Sequence, residues 1–482
     1  MSQLVDVAII GAGPAGVVAA LRLQQLGYRV LLIERSQFPR AQIGEAFTPG
    51  IKNIIDLLDA NEVLAKIPQL KHLPTQSRWQ QSTPELVPAN NNIMMDRSVF
   101  DHGMLDLAKQ RGILVRQPAH VDHIGGDAGD WRIRFTDGEG EQTMLANFLL
   151  DAQGRHGSAT TRIACAPALL AAWIDIAPAD LPADLAQATL VEACEFGWLW
   201  GSILPNQHFR LMLCCDPHHV EHKAEALLRS QCRASQLFAS LADCVATGRL
   251  HASSATPYLD SASYQSNRFK LGDAAFALDP ISSSGVEKAM RFSINAAVAL
   301  HTLLSDPYKS SGAMVQEFYE QRLIETCARH TLWTRRHYRQ AWCADQPFWQ
   351  NQAQAFDFGT APLGLALQQE LSRLENFRPR SPSARSMLSP QHRIRFDPEL
   401  KVVQSLCVID NKVHRHAAFI HPDLDRPLAF LDGEEVVKKL AFMDMQPTLA
   451  SALDLLGLDM SAQKAQRLLG WFWQHGFLQT MG

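Results

Sequence analysis

A strand, a glycine-rich turn, a helix, a second strand and a carboxylate succeed one another in VAIIGAGPAGVVAALRLQQLGYRVLLIE, Val7 to Glu34, and few folds admit that order. The apolar run Val7 to Ile10 reads as a buried strand, and Val30 to Ile33 reads as another. Between them Gly11, Gly13 and Gly16 stand in G-x-G-x-x-G spacing. Gly11 permits the tight turn out of the strand, Gly13 lets backbone approach a pyrophosphate, and Gly16 lets the helix sit close to the sheet. Ala15 lies in the first turn of that helix, whose unpaired N–H groups and positive dipole end favour a phosphate. Glu34 closes the second strand, where a carboxylate can accept hydrogen bonds from a ribose diol, and Arg35 follows it. The unit predicts an adenine dinucleotide site and leaves open which dinucleotide. A turn serving helix packing alone would leave Glu34 without a role.

The chain has 482 residues, 46% hydrophobic and 20% charged, which suits an ordinary globular protein of more than one domain. A formal net charge of -4 gives no general reason to expect nucleic acid or an anionic membrane as partner. No apolar run has the length of a membrane span, and the first strand begins too early for a signal peptide. The nine scattered cysteines lack metal-ligand spacing and read as reduced packing thiols, so the expectation is a cytoplasmic protein without a metal.

Two later stretches repeat the theme of a strand running into an acidic turn. Phe148 to Ser158, FLLDAQGRHGS, brings a strand to Asp151 and then Gly154. Arg268 to Ala289, RFKLGDAAFALDPISSSGVEKA, brings a strand to Gly272 and Asp273, then Asp279, Pro280, Ser284, Gly285 and Val286 before a helix. An aspartate at a strand end can bond a ribityl or ribose hydroxyl, and SSSGV opening a helix offers N–H groups to an anion or ring carbonyl. Each stretch alone could be an ordinary turn.

Taken in order, the three stretches resemble the FAD-dependent monooxygenases of the para-hydroxybenzoate hydroxylase type, over about residues 1–375. The resemblance implies FAD, with ADP-ribose at Gly11, Gly13, Gly16 and Glu34, and Asp151 and Gly154 alongside. It places the ribityl chain at Gly272 and Asp273 and the isoalloxazine along Pro280, Ser284, Gly285 and Val286. FPRAQIGEAFTPG, Phe38 to Gly50, and MDRSVFDHGML, Met95 to Leu105, are similar to the flavin-dependent halogenase branch and its non-halogenating relatives. That similarity implies Arg97 near the flavin phosphates or ribityl chain. It makes Ile43, Gly44 and Glu45 a strap linking the flavin site to a substrate tunnel, with Glu45 and Pro280 in catalytic positions. The plainer reading makes Arg97 a surface ion-pair partner and Phe100 a core residue.

Halogenases of this branch carry W-x-W-x-I-P and a lysine downstream of the strap. Here WLWGSILP, Trp198 to Pro205, keeps both tryptophans with altered spacing, and HLPTQSRWQQ, His72 to Gln81, has arginine and tryptophan where the lysine is sought. Lys66 and Lys71 stand nearby. Oxygen transfer is therefore the first expectation, through a C4a-hydroperoxyflavin formed from O2, with halogenation second. An isoprenoid reductase and a maturation factor with a merely structural flavin remain as alternatives. Trp198, Trp200 and Trp79 are candidate pocket walls, or equally tryptophans of a sheet core. No residue stands out as a general base; His156 and His251 could serve, or be ordinary surface histidines. No second nucleotide fingerprint names the electron donor, so external NAD(P)H or a partner flavin reductase is expected.

The resulting fold class is α/β. A Rossmann-type FAD-binding region over 1–310 is interleaved with a mixed-sheet substrate domain, about 75–100 and 175–265, followed by a helical extension, 311–377. The proline- and serine-rich run 378–390 reads as a linker to a small module, 391–482. That module has apolar residues at helical spacing from Leu431 to Leu478 and is similar to winged-helix domains that recognise peptides. Peptide docking, a structural cap and DNA binding all stay open. With the basic, aromatic run Arg329 to Arg339, it is suggestive of the flavoproteins that hydroxylate a protein-bound tryptophan during tryptophylquinone maturation, as for quinohemoprotein amine dehydrogenase. The expected substrate is a large aromatic group within a protein or peptide.

Overall fold

The computed structural model describes residues 4–88, 92–156, 161–183, 185, 187–220, 224–379 and 388–481, with no description of the His156 side chain. The greater part of the linker expected at 378–390 lies outside the described residues. By its internal contacts the chain divides into two units. The first comprises Met1–Leu304 with Tyr319–Leu371, and the second Ser305–Phe318 with Ser372–Gly482.

The first unit is built on a sheet whose parallel heart is Leu4–Ile10, flanked by Gly140–Asp151 on one side and Val30–Ile33 on the other. Leu114–Arg116 extends it beyond Val30–Ile33, and Arg268–Lys270 extends it beyond Gly140–Asp151. Five of the residues in Leu4–Ile10, Val5 and Val7 to Ile10, are no more than 5% exposed, as a strand covered on both faces requires. The parallel register Ile10↔Asp151 and Asp151↔Lys270 sets the ends of three strands side by side. Those ends carry the three acidic or glycine-rich turns found in the sequence. The helix Pro14–Gln25 packs between sheet and neighbouring helices with an almost wholly apolar, buried surface.

A second sheet of seven strands runs in the order His251–Ser254, Leu170–Ile176, Phe209–Cys215, Gly197–Ile203, Thr189–Cys194, Thr75–Arg78, Glu85–Val87. One face buries Ile174, Leu199, Leu211 and Leu213 against the helix Ala224–Ala234. The other packs Ala171, Trp198 and Cys214 against Tyr338, Phe348 and Trp349. Period-2 alternation therefore divides the sheet's side chains between two buried faces.

In the second unit, the helices Leu449–Gly457 and Ala462–Gln474 are N-capped by the Thr448 and Ser461 hydroxyls. They share a core of Phe419, Leu456, Leu468 and Phe472 with a two-stranded ribbon, Lys401–Ile409 and Lys412–Ile420. All nine cysteines are free thiols. Among the described residues, no helix is long and apolar enough to cross a membrane.

Candidate active site

The three strand ends open onto a cavity of about 590 Å³. At its head, Gly11 has φ +102°, and a Cβ there would sit 2.4 Å from the Ala152 carbonyl oxygen. A Cβ on Gly16 would lie 1.9 Å from the Gly11 oxygen, so Gly16 allows the helix its close approach and does not itself line the cavity. At Gly13 the nearest atom to a built Cβ is Arg40 Nη2 at 3.7 Å. The turn is thus crowded behind and open in front, where Gly11, Gly13 and Ala15 face the cavity.

The helix that starts at Pro14 has no side-chain cap, so its first N–H groups are left for a ligand. Glu34 is 5% exposed, and its carboxylate accepts the Ala12 and Ser36 N–H groups at 2.8 Å each. These bonds fix it at the cavity wall beside Arg35. Across the glycine turn stands Arg40, whose Nε is buried without a partner. Free N–H groups, a carboxylate at the end of the second strand and an underused guanidinium suit the ADP half of a dinucleotide. Gly154, Gly272 and Asp273 continue the wall, with Arg155 donating from Nε to Asp273 at 3.1 Å and from Nη1 to the Ser254 carbonyl at 2.7 Å.

The strap Ile43–Gly44–Glu45 crosses the cavity between two arginines. Arg97, 5% exposed, forks onto Asp101 at 3.0 and 3.1 Å and donates Nη1 to the Ile43 carbonyl at 2.7 Å. It is a buried clamp, and Phe100 beside it is core. From the second sheet, Arg210 forks onto Asp175 and donates Nη1 to Glu45. Glu45 also accepts the Gly44 N–H at 2.9 Å. Burial pushes the Glu45 carboxyl up from its ordinary value, a rise opposed by Arg210. Arg210 and Asp175 carry no signal in local spacing; only the cross-strand register Asp175↔Arg210 brings them together.

Beyond the strap the wall is Pro280, Ser283, Gly285, Val286, Ala171, Trp200 and Met212. Asp279 sits here fully buried, accepting the Tyr338 hydroxyl at 2.7 Å and the Ile281 N–H at 3.0 Å. Burial raises its carboxyl to about 6, the two hydrogen bonds opposing the rise.

Several expected site residues stand elsewhere. Asp151 does not line the cavity: its carboxylate is taken by Arg268 at 2.6 Å and braces the turn from below. Ser284 does not line it either, its hydroxyl being engaged with that of Ser282, while Ser283, with φ +50°, faces inward. Trp198 is 0% exposed and donates Nε1 to the Tyr338 hydroxyl, and Trp79 donates Nε1 to the His337 carbonyl, so both are core. Trp200 alone of the three reaches the cavity. His251 stacks on Trp173 with ring centroids 5.6 Å apart. Arg78, which stands where a halogenase lysine was sought, is buried in a 2.7 Å ion pair with Glu192. Among the described residues, the cavity wall holds arginines 35, 40, 97, 155 and 210 and no lysine.

Such a cradle on such a sheet defines a dinucleotide-binding flavoprotein. The chain belongs to the FAD binding domain family, whose profile matches residues 4–313, and its cofactor is FAD. It is 27% identical over 341 residues to the tryptophan 2-halogenase of Chondromyces crocatus, covering 65% of this chain and 64% of that protein. To LodB of Marinomonas mediterranea it is 26% identical over 366 residues, 72% of this chain and 96% of LodB. In fold it matches the peptidyl tryptophan dihydroxylase QhpG, essential for tryptophylquinone cofactor biogenesis, with a TM-score of 0.73 and 21% identity. That match covers 98% of this chain and 100% of QhpG. The flavin-dependent halogenase CmlS matches at a TM-score of 0.70 and 19% identity, over 100% of this chain and 96% of CmlS.

Proposed function

We propose that this chain is a cytoplasmic FAD-dependent monooxygenase that hydroxylates a large aromatic substrate, a tryptophan within a protein or peptide. The observation that carries the reading is the wall beyond the strap: apolar and aromatic at Ala171, Trp200, Met212 and Pro280, with arginines and, among the described residues, no lysine around it. When bound and reduced, FAD supplies the activation of O2. This chain's residues hold the ring system and keep water out. Trp200 and Met212 offer flat and adaptable apolar contact to an aromatic ring. Glu45, held by Arg210, presents a carboxylate at the strap that can accept a proton or an N–H from the ring. The fold shared with QhpG supports a protein-bound tryptophan as the substrate, and the 391–482 module would contribute to docking it. Reducing equivalents would come from NAD(P)H or a partner flavin reductase.

Halogenation is the second reading, favoured by the likeness to tryptophan 2-halogenase. The two separate in one experiment. Purified protein with FAD, a flavin reductase, NADH, isotopically labelled O2, chloride and a tryptophan-bearing protein or peptide is expected to add labelled oxygen to the tryptophan. A chlorine mass increment instead would replace the first reading with the second.

A further inference from the structure

Strand His251–Ser254 is an edge of the seven-stranded sheet, and all four residues are exposed. It pairs antiparallel with Leu170–Ile176 in the register Leu170↔Ser254, Ala171↔Ser253, Ala172↔Ala252, Trp173↔His251. The Ala255 N–H bonds the Leu169 oxygen at 2.7 Å, which makes Leu169 and Ala255 a hydrogen-bonded pair. Antiparallel pairing alternates, so Ser253 and His251 also turn their backbone groups inward, and Ala252 and Ser254 turn theirs outward. The outward Ser254 carbonyl accepts Arg155 at 2.7 Å. Among the described residues, the Ala252 N–H and C=O and the Ser254 N–H have no partner. An exposed edge of this kind is a template for one more strand.

The edge is also a rim of the active-site cavity. Ser253 and Ser254 line that cavity, and Ala171, the cross-strand neighbour of Ser253, forms its wall with Met212 and Trp200. Two residues along on the same face, Trp173 and His251 stack with ring planes 18° apart and offer a platform continuous with the wall. A chain paired with this edge would therefore place alternate side chains over Ser253 and His251, on the cavity face.

We propose that His251–Ser254 is the binding site for an extended segment of the polypeptide substrate, which adds to the sheet as an eighth strand. The reacting aromatic side chain then stands opposite Ser253 and enters between Trp200 and Pro280, while a flanking residue lies on the Trp173–His251 platform. The Ala252 N–H and C=O and the Ser254 N–H supply main-chain recognition indifferent to substrate sequence, and the cavity selects the side chain. This assignment rests on the proposal that the substrate is a polypeptide.

The test uses the FAD-loaded full chain and a short capped peptide of alternating threonine and valine around one tryptophan, labelled for fluorescence anisotropy. Ala252→Pro removes only an outward N–H, a change an edge strand tolerates. The expected result is binding to the wild type and a loss of about tenfold in Ala252→Pro, the order of one hydrogen bond and its desolvation. Unmodified protein should lose as much when the peptide is N-methylated at the positions facing the edge, a comparison that needs no variant to fold. Equal affinity in all these pairings, or no binding to the wild type, overturns the assignment. Oxygen incorporation, followed separately, distinguishes the two proposals. If wild type and Ala252→Pro oxidise the peptide with the same KM, the edge site falls and the polypeptide substrate stands. If the peptide binds at the edge but only a free aromatic is ever oxidised, the polypeptide reading of the reaction falls.

Discussion

Arg210 and Asp175 face each other across two antiparallel strands and meet in a forked pair, Nε to Oδ1 at 2.6 Å and Nη2 to Oδ2 at 2.7 Å. The fork fixes the plane of the guanidinium, and its remaining nitrogen meets Glu45. Replacing Arg210 by Gln leaves a buried carboxylate without its cation. The expected cost is about 3 kcal/mol in denaturant unfolding. Glu45, already raised by burial, then rises further. If its ionised form serves turnover, the pH–rate profile of Arg210→Gln moves to higher pH, and Arg210→Lys recovers part of the shift.

Trp198 and Trp200 lie two residues apart on one strand and should respond oppositely. Trp198→Ala empties a fully buried site and removes a hydrogen bond to Tyr338, so thermal or denaturant unfolding should show a loss of about 3–5 kcal/mol. Trp200→Ala should cost less stability and raise the KM for an aromatic substrate instead.

The glycines of the first turn separate folding from cofactor binding. Gly16→Ala drives a methyl group into the Gly11 carbonyl and should yield little soluble protein. Gly13→Ala meets only Arg40 at ordinary contact distance, so the protein should fold. Because Gly13 lines the cavity, a methyl group there crowds it, and flavin titration should report FAD affinity at least about tenfold weaker.

Asp279 gives stability a pH dependence of known sign. Its folded-state value of about 6 exceeds the ordinary 3.8, so the folded chain holds this proton more tightly than the unfolded chain. Stability from this group is full below pH 4 and falls as pH rises to about 6, by at most on the order of 3 kcal/mol. Asp279→Asn should flatten that window in unfolding measured from pH 4 to 7. Tyr338→Phe removes a hydrogen bond that opposes the rise and should carry the window upward.

Glu34, Gly11 and Asp273 line the cavity, a placement legible in the sequence because it depends on a few neighbours along the chain, where spacing is structure. Asp151 shows the limit. It ends its strand as expected, but the parallel pairing with Arg268–Lys270 delivers Arg268 to its carboxylate, and no local pattern announces that. Trp198 and Trp200 share one face of one strand, so alternation cannot divide them. The helical segment carrying Tyr338 covers the first and leaves the second to the cavity. Arg210 was invisible for the same reason as Arg268: its partners lie 35 and 165 positions away. The tryptophan pair of Trp198 to Pro205 thus lies on a strand that borders the cavity, and the sequence could not say that Trp200 is the one that lines it.

Arg97 grips the strap by the main-chain oxygen of Ile43, and Ile43 as a residue is 36% exposed. Position is enforced there without regard to residue type. Descendants of this chain are free to change residue 43, and with it the strap's outer surface, while Arg97 keeps the strap in place. Drift at that position can retune access to the cavity at no cost to the clamp.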